Sequence, residues 1–241
     1  MRASRIHTVQ PLATGVEVAL DARAARYIGQ VLRLRPGDHL TLFNGDGDDF
    51  DAELLVCSKR ECRALLHDII GSEPPTKLQI HLALGISRGE RMDFAIQKSV
   101  ELGVHSITPL STERSVVQLR GDRLEQRAEH WRGVVVSACE QSGRNRLPTL
   151  SMPRTLADWL PDAGPGVMLY HEAGPSLAGL GAPQSSLTLL IGPEGGLSAA
   201  ERALAEQSGF ISVRMGPRVM RTETAPIAAI AAIQALWGDF R

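Results

Sequence analysis

The spacing of apolar residues changes character near residue 75, and the change divides the chain into two regions. Before it, short apolar runs alternate with polar turns. TLFNGDGDDFDAELL (41–55) holds two such runs around a Gly/Asp turn, which predicts a hairpin, and CRALLHDII (62–70) adds a strand. ARAARYIGQVLRL (22–34) has helical spacing and ends at Pro36-Gly37-Asp38. A small β-barrel with one helix is the expectation for residues 1–72. GSEPPTK (71–77) reads as a linker.

After the linker, strands and helices alternate. LQIHLALGI (78–86) predicts a strand. Ser87 and Glu90 form an S-x-x-E capping box for a helix with Met92, Ala95, Ile96, Ser99 and Val100 inward, ended by Gly103. HSITPL (105–110) is the next strand. Asp122 and Glu125 open a helix to about Cys139 that buries Leu124, Ala128, Trp131, Val135 and Ala138. LPTL (147–150), VMLYHEA (167–173) and LTLLIG (187–192) read as strands. Ser198 and Glu201 box another helix, closed by Gly209, and FISVRMG (210–216) is the last strand. The alternation predicts an α/β domain over 73–241 with a parallel sheet covered on both faces. The last helix, about 223–237, has Ile227, Ile230, Ile233 and Trp237 in one stripe and alanines around most of the rest. A helix apolar on nearly every side needs burial on nearly every side, which either the domain of about 165 residues supplies alone or, as the favoured expectation, a two-fold dimer completes by covering the outer face.

Composition adds class but no function. With 43% hydrophobic and 22% charged residues in 241, the chain has the make-up of a soluble globular protein. No apolar run reaches the roughly 20 residues of a membrane span. The start lacks an apolar signal core. Cys57, Cys62 and Cys139 match no zinc-ligand spacing and cannot all pair, so they read as reduced thiols of a cytoplasmic protein that needs no metal. The net charge of −1 is unevenly spread. Residues 1–35 carry six arginines against Glu17 and Asp21, whereas residues 36–72 carry eight acids against three bases. Arginine forks onto phosphates and stacks on bases, but such a cluster also arises as a solvated face with local ion pairs.

The candidate chemistry lies in two loops. GPEGG (192–196) ends one parallel strand, where ligands sit in open α/β sheets. It lacks the lysine of a phosphate loop and the spacing of a dinucleotide fingerprint, and the Glu194 carboxylate repels phosphate. MGPRVMRTETAP (215–226) follows the next strand and offers Met215, Val219 and Met220 as an apolar wall. A neutral or cationic ligand suits this pair of loops better than a phosphate does, the alternative being that GPEGG is a sharp turn with no ligand and the methionines fill the core.

LALGISRGERMDFAIQKSVELGVHSITPL, EQSGR, LLIGPEGGLSAAE and MGPRVMRTETA, in this order, resemble the small-subunit (16S) ribosomal RNA uridine-N3 methyltransferases of the SPOUT class. RYIGQVLRLRPGD and LFNGDG resemble that family's RNA-binding, PUA-like barrel. The resemblance implies a C-terminal knotted parallel-sheet domain, S-adenosylmethionine as cofactor, an rRNA or assembled-subunit substrate and a homodimer through the C-terminal domain. Carried over by position, it implies a cofactor pocket of Ile191, Gly192, Pro193, Glu194, Gly196, Met215, Gly216, Val219, Met220 and Arg221, with the strand end Tyr170–His171–Glu172 as its third wall. Methylating N3 requires loss of its proton and stabilisation of the charge left on O2 and O4. Arg221 is the candidate cation, unless it is an ion-pair partner of Glu223 or Glu201. Glu223 or Glu194 is the candidate proton acceptor, and Glu194 alternatively caps its own loop. For RNA binding the candidates are Arg2, Arg5, Arg26, Arg33 and Arg35 in the first domain and Arg88, Lys98 and Arg144 in the second. Two other readings stay open on sequence: a knotted methyltransferase for another RNA position, and a non-catalytic RNA-binding or ribosome-assembly factor.

Overall fold

A computed structural model describes residues 4–58, 61–117 and 121–240. The chain divides into two compact units, one of residues 1–75 with 136–147, the other of residues 76–135 with 148–241. The break after Pro75 falls inside the predicted linker. The sequence reading had placed residues 136–147 entirely with the C-terminal region.

The first unit is built on a five-stranded sheet in the order β1-β3-β4-β5-β2. Its strands are β1 (Arg5–His7), β2 (Glu17–Ala19), β3 (His39–Phe43), β4 (Asp48–Cys57) and β5 (Cys62–Ser72). The predicted hairpin is β3–β4, antiparallel with Leu40 opposite Ala52 and Leu42 opposite Phe50. Alternation along β4 and β5 sends Phe50, Ala52, Leu54, Ala64 and Leu66 into one cluster with Ile6, Val18, Leu40 and Leu42. Burying each large aliphatic side chain there contributes about 1.5–3 kcal/mol. The short strands β1 and β2 carry too little pattern to be read from sequence, and β1 pairs parallel to β3.

The helix expected over 22–34 is shorter than its pattern. Asp21 caps α1 (Ala22–Arg26), accepting a hydrogen bond from Ala24 N at 2.8 Å. A π-helical segment, Tyr27–Leu32, continues it. Arg33 then turns the chain left-handed at φ 55°, the single non-glycine residue with positive φ among those described. A side chain accepts that conformation at a cost, so the turn is imposed by its surroundings.

The second unit holds a seven-stranded, all-parallel sheet. Its strands are β6 (Gln79–Gly85), β7 (Ser106–Ser111), β8 (Thr149–Leu150), β9 (Arg154–Thr155), β10 (Gly166–Leu169), β11 (Ser186–Ile191) and β12 (Phe210–Val213). The order is β12-β10-β11-β6-β7-β8, with β9 also on β7. Central strands β6 and β11 are buried almost throughout, as a sheet covered on both faces requires. The helices are α2 (Glu90–Glu101), α3 (Asp122–Ser142), α4 (Leu156–Ala163), α5 (Ala199–Gln207) and α6 (Thr224–Trp237). Beyond Val135, α3 belongs to the first unit. All five positions expected inward on α2 are buried. The α5 capping box forms in both directions, with Ser198 Oγ accepting from Glu201 N and a Glu201 oxygen accepting from Ser198 N. By contrast, the expected Ser87–Glu90 box does not form. Gly89 at φ 61° stands at the N-cap of α2, and Ser87 turns toward another loop. On α6, Ile230 and Ile233 are buried as predicted, Ile227 and Trp237 are half-buried, and Ala235 and Leu236 are exposed.

Candidate active site

Three loops meet beyond the carboxyl ends of β6, β10, β11 and β12. The segment after β12, at one edge of the sheet, runs back past the ends of β10 and β11. Thr222 there reaches Ser87, just beyond β6, with Oγ1 to Oγ at 2.9 Å, and donates to the Gly192 carbonyl at 3.4 Å. This return path is the one a knotted sheet requires.

Glycine makes the convergence possible. A Cβ on Gly192 would lie 2.8 Å from Leu197 N and 2.9 Å from the Gly196 carbonyl carbon, and a Cβ on Gly85 would collide with Pro193. Backbone therefore packs on backbone, and the turn 192–196 closes with Gly196 N donating to the Pro193 carbonyl at 2.8 Å.

Between the loops opens a cleft of about 500 Å³, a size suited to a small organic ligand. Of the residues expected in the cofactor pocket, Tyr170, His171, Ile191, Gly192, Pro193, Glu194, Gly196, Met215, Gly216, Val219, Met220 and Arg221 line it, whereas Glu172 does not. Glu223 lines it too. Leu169, Thr222 and several arginines, which the sequence does not single out as pocket residues, also line it. Tyr170 and Arg202 form a stacked pair, the guanidinium carbon 4.3 Å from the ring centre, while Arg202 donates to the Leu197 carbonyl at 2.7 Å. Tyr170 donates to the Glu172 carboxylate, a bond that raises the phenol above its ordinary pKa.

The two candidate carboxylates differ in their surroundings. Glu194 Oε1 accepts from the Arg88 backbone N–H at 3.0 Å and lies 3.4 Å from Arg91 Nη1. It fastens the loop before α2 to the 192–196 turn. Glu223 Oε2 is buried without a hydrogen-bond partner among the described residues. An orphaned carboxylate oxygen beside a cleft is a costly feature unless a ligand proton or cation meets it. Arg221 is exposed, with no ion pair to Glu223 or Glu201 among the described residues. Glu201 instead completes the α5 cap and accepts from Glu113 N at 2.8 Å. No group of three or more His, Cys, Asp or Glu among the described residues is placed to hold a metal ion.

The RNA-binding candidates separate by exposure. Arg26, Arg33, Arg35 and Arg88 are exposed. Arg5 is turned inward: it pairs with Asp49, donates to the Arg144 carbonyl and to Asn145 Oδ1, and lies over the Phe43 ring. Arg144 is half-buried 3.7 Å from Glu73, and Lys98 binds Glu101 on its own helix. Arg2 lies outside the described residues.

The parallel sheet, its strand-end cleft and the five-stranded unit beside it in sequence define an RNA methyltransferase of the SPOUT type. The family model described as RNA methyltransferase domain matches residues 74–234, and RNA methyltransferase PUA domain matches residues 20–66. The chain is 37% identical to ribosomal RNA small subunit methyltransferase E of Buchnera aphidicola subsp. Schizaphis graminum, over 99% of this chain and 98% of that protein. It is 37% identical to the crystal structure of a ribosomal RNA small subunit methyltransferase E from Neisseria gonorrhoeae bound to S-adenosyl methionine, with a TM-score of 0.91 and full coverage of both chains. A putative methyltransferase of Legionella pneumophila in complex with SAM is 36% identical, with a TM-score of 0.95 and full coverage. The chain belongs to the ribosomal RNA small subunit methyltransferase E family.

Proposed function

We propose that this chain transfers a methyl group from S-adenosylmethionine to N3 of a uridine in 16S ribosomal RNA, acting in the cytoplasm as a homodimer. The observation that carries the reading is the single cleft in which the sequence-selected cofactor residues other than Glu172 meet, with one orphaned carboxylate oxygen among them. Two relatives of similar length and fold hold S-adenosylmethionine.

The residues present suit that molecule. Its sulfonium cation and apolar edges call for backbone groups, an apolar wall and negative charge, and the cleft offers the 192–196 turn, Met215, Val219 and Met220, and Glu223. When bound, the cofactor supplies an electrophilic methyl group. The protein's own task is to make N3 nucleophilic. Arg221 is the cation available to the O2 and O4 atoms on which charge develops. Glu223 is the better proton acceptor, because Glu194 is committed through Oε1 to Arg88 and Arg91 as a loop tether whereas Glu223 Oε2 is buried and has no partner among the described residues. The exposed arginines Arg26, Arg33, Arg35 and Arg88 serve RNA binding. The homodimer rests on α6, whose half-buried Ala228, Ala231 and Ala232 and exposed Ala235 and Leu236 remain to be covered by a second copy.

The test is to incubate the protein with labelled S-adenosylmethionine and either small subunits or naked small-subunit rRNA, digest the RNA to nucleosides and identify the labelled product. N3-methyluridine is expected. Label in a ribose-methylated nucleoside or another base would replace the N3 assignment, and no label in either substrate would remove the enzymatic one.

A further inference from the structure

The cleft carries more positive charge than its cofactor can use. S-adenosylmethionine is itself a net cation at neutral pH, since its sulfonium and ammonium outweigh one carboxylate. Yet five arginines line the cleft, Arg91, Arg114, Arg202, Arg218 and Arg221, against two carboxylates, Glu194 and Glu223, a surplus of three positive charges. One carboxylate on the cofactor accounts for at most one of them. Like charges gathered round a site that binds a cation are unfavourable unless an anion shares the site.

Two of the five have tasks already. Arg221 faces the developing charge on the base, and Arg202 stacks on Tyr170 and holds the Leu197 carbonyl. The other three sit on different segments, one at the start of α2 and two on loops, and are exposed. Arg91 opens α2 and reaches Glu194 with one nitrogen at 3.4 Å. Arg114 donates one nitrogen to the Gly195 carbonyl at 3.0 Å, and its Cβ would be 2.9 Å from a Cβ on Gly195, so its loop lies directly on the 192–196 turn. Arg218 stands in the loop after β12 and has no ion pair among the described residues. A guanidinium has five N–H donors in a fixed fork, so a single anchoring bond orients it and leaves most of its donors for a ligand.

We propose that Arg91, Arg114 and Arg218 form a phosphate-binding rim that grips the RNA backbone on either side of the target nucleotide. The rim rests on the methyltransferase reading above and names the part of the substrate that this cleft holds. Phosphate contacts fix register and orientation without reading sequence, which is what a base withdrawn from its stack needs from the strand around it. Cations on the first turn of α2 and on two separate loops also tie RNA binding to the arrangement of those segments.

The experiment measures binding of a small-subunit rRNA transcript across a salt series for wild type, Arg114→Ala, Arg218→Ala, the Arg114→Ala/Arg218→Ala double variant and the corresponding lysine variants. S-adenosylmethionine binding is measured calorimetrically on the same proteins. Each lost phosphate contact should lower the slope of log K against log salt by about 0.7–0.9, so the double variant should lose about 1.4–1.8. Its RNA affinity should fall at least tenfold at moderate salt, while cofactor affinity stays within about twofold. The lysine variants should keep most of the slope, because they keep the charge. An unchanged slope in the double variant overturns the rim. So does a tenfold loss of cofactor affinity with RNA binding intact, which would assign these arginines to the cofactor carboxylate. A wild-type protein that binds RNA but neither binds nor consumes S-adenosylmethionine would instead defeat the methyltransferase reading, a result visible before any variant is made.

Discussion

Ser87 Oγ and Thr222 Oγ1 lie 2.9 Å apart although 135 residues separate them in sequence. Both side chains are buried, and Thr222 also reaches the Gly192 carbonyl. The hydroxyl pair thus ties the two loops after β11 and β12, which line the cleft, to the segment after β6. Thr222 stands between Arg221 and Glu223, so its tether sets the backbone from which both project. Thr222→Val keeps the shape and removes the bonds. It should destabilise the protein by about 1–2 kcal/mol and lower the transfer rate with bound substrates more than it weakens cofactor binding, whereas Thr222→Ser should retain most of both. Chemical denaturation and single-turnover assays measure the two effects. Equal behaviour of the Val and Ser variants would remove the positioning role.

Glu223→Gln keeps the size of the side chain and removes its basicity. The transfer step should slow by about 10²–10⁴ if this carboxylate takes the N3 proton. Glu194→Gln should have the smaller effect on that step, since Glu194 fastens the loop at Arg88 and Arg91. Single-turnover rates across pH distinguish the two, because loss of the proton acceptor alters the shape of the profile and loss of a loop tether lowers it evenly.

Arginines in the first unit should divide into two kinds. Arg5, paired with Asp49 and bonded to Asn145, is enclosed, and Arg5→Ala should cost on the order of 3 kcal/mol of stability by leaving Asp49 without its partner. Arg33→Ala with Arg35→Ala removes exposed cations. It should leave the melting temperature nearly unchanged while weakening RNA binding and flattening its salt dependence. Melting curves and salt titrations on both variants check the division.

Acid should weaken the second unit partly through His81. Its Nδ1 lies 2.7 Å from Ser106 Oγ between β6 and β7, and burial first, then the neighbouring His105, lowers its pKa below 6.5. Above pH 6.5 the ring is neutral in both folded and unfolded chains, and its contribution is complete. As pH falls below 6.5 the unfolded chain takes the proton first, and that stability is lost toward the folded pKa. His7, lowered by burial and by Arg23, acts with the same sign in the first unit. His81→Gln should therefore show a smaller fall in thermal midpoint between about pH 7.5 and pH 5.5 than the parent protein, measured by calorimetry.

What could be read from sequence depended on how far each signal reaches. The β3–β4 hairpin, the buried face of α2 and the α5 capping box are local patterns, and each forms as its residues predict. The cleft was legible because glycine and proline mark strand ends, and strand ends in a parallel sheet share one edge. Ser87 misled because its spacing to Glu90 suits a cap, while its actual partner stands 135 residues away. Arg5 and Arg144 drew attention as free cations, but their partners Asp49 and Glu73 are distant in sequence. The inclusion of residues 136–147 in the first unit has a similar cause. Glu73 accepts from the backbone N–H groups of Asn145 and Arg146, and no periodicity announces a contact of that span.

The central claim is that the two Gly-Pro loops enclose the methyl donor. A crystal structure with S-adenosylhomocysteine, the demethylated donor, tests it most directly. Density between the 192–196 turn and Met215–Arg221, with the sulfur facing the region bounded by Arg221 and Glu223, is the predicted result. Ligand bound elsewhere on the chain, with these loops unengaged, would contradict it.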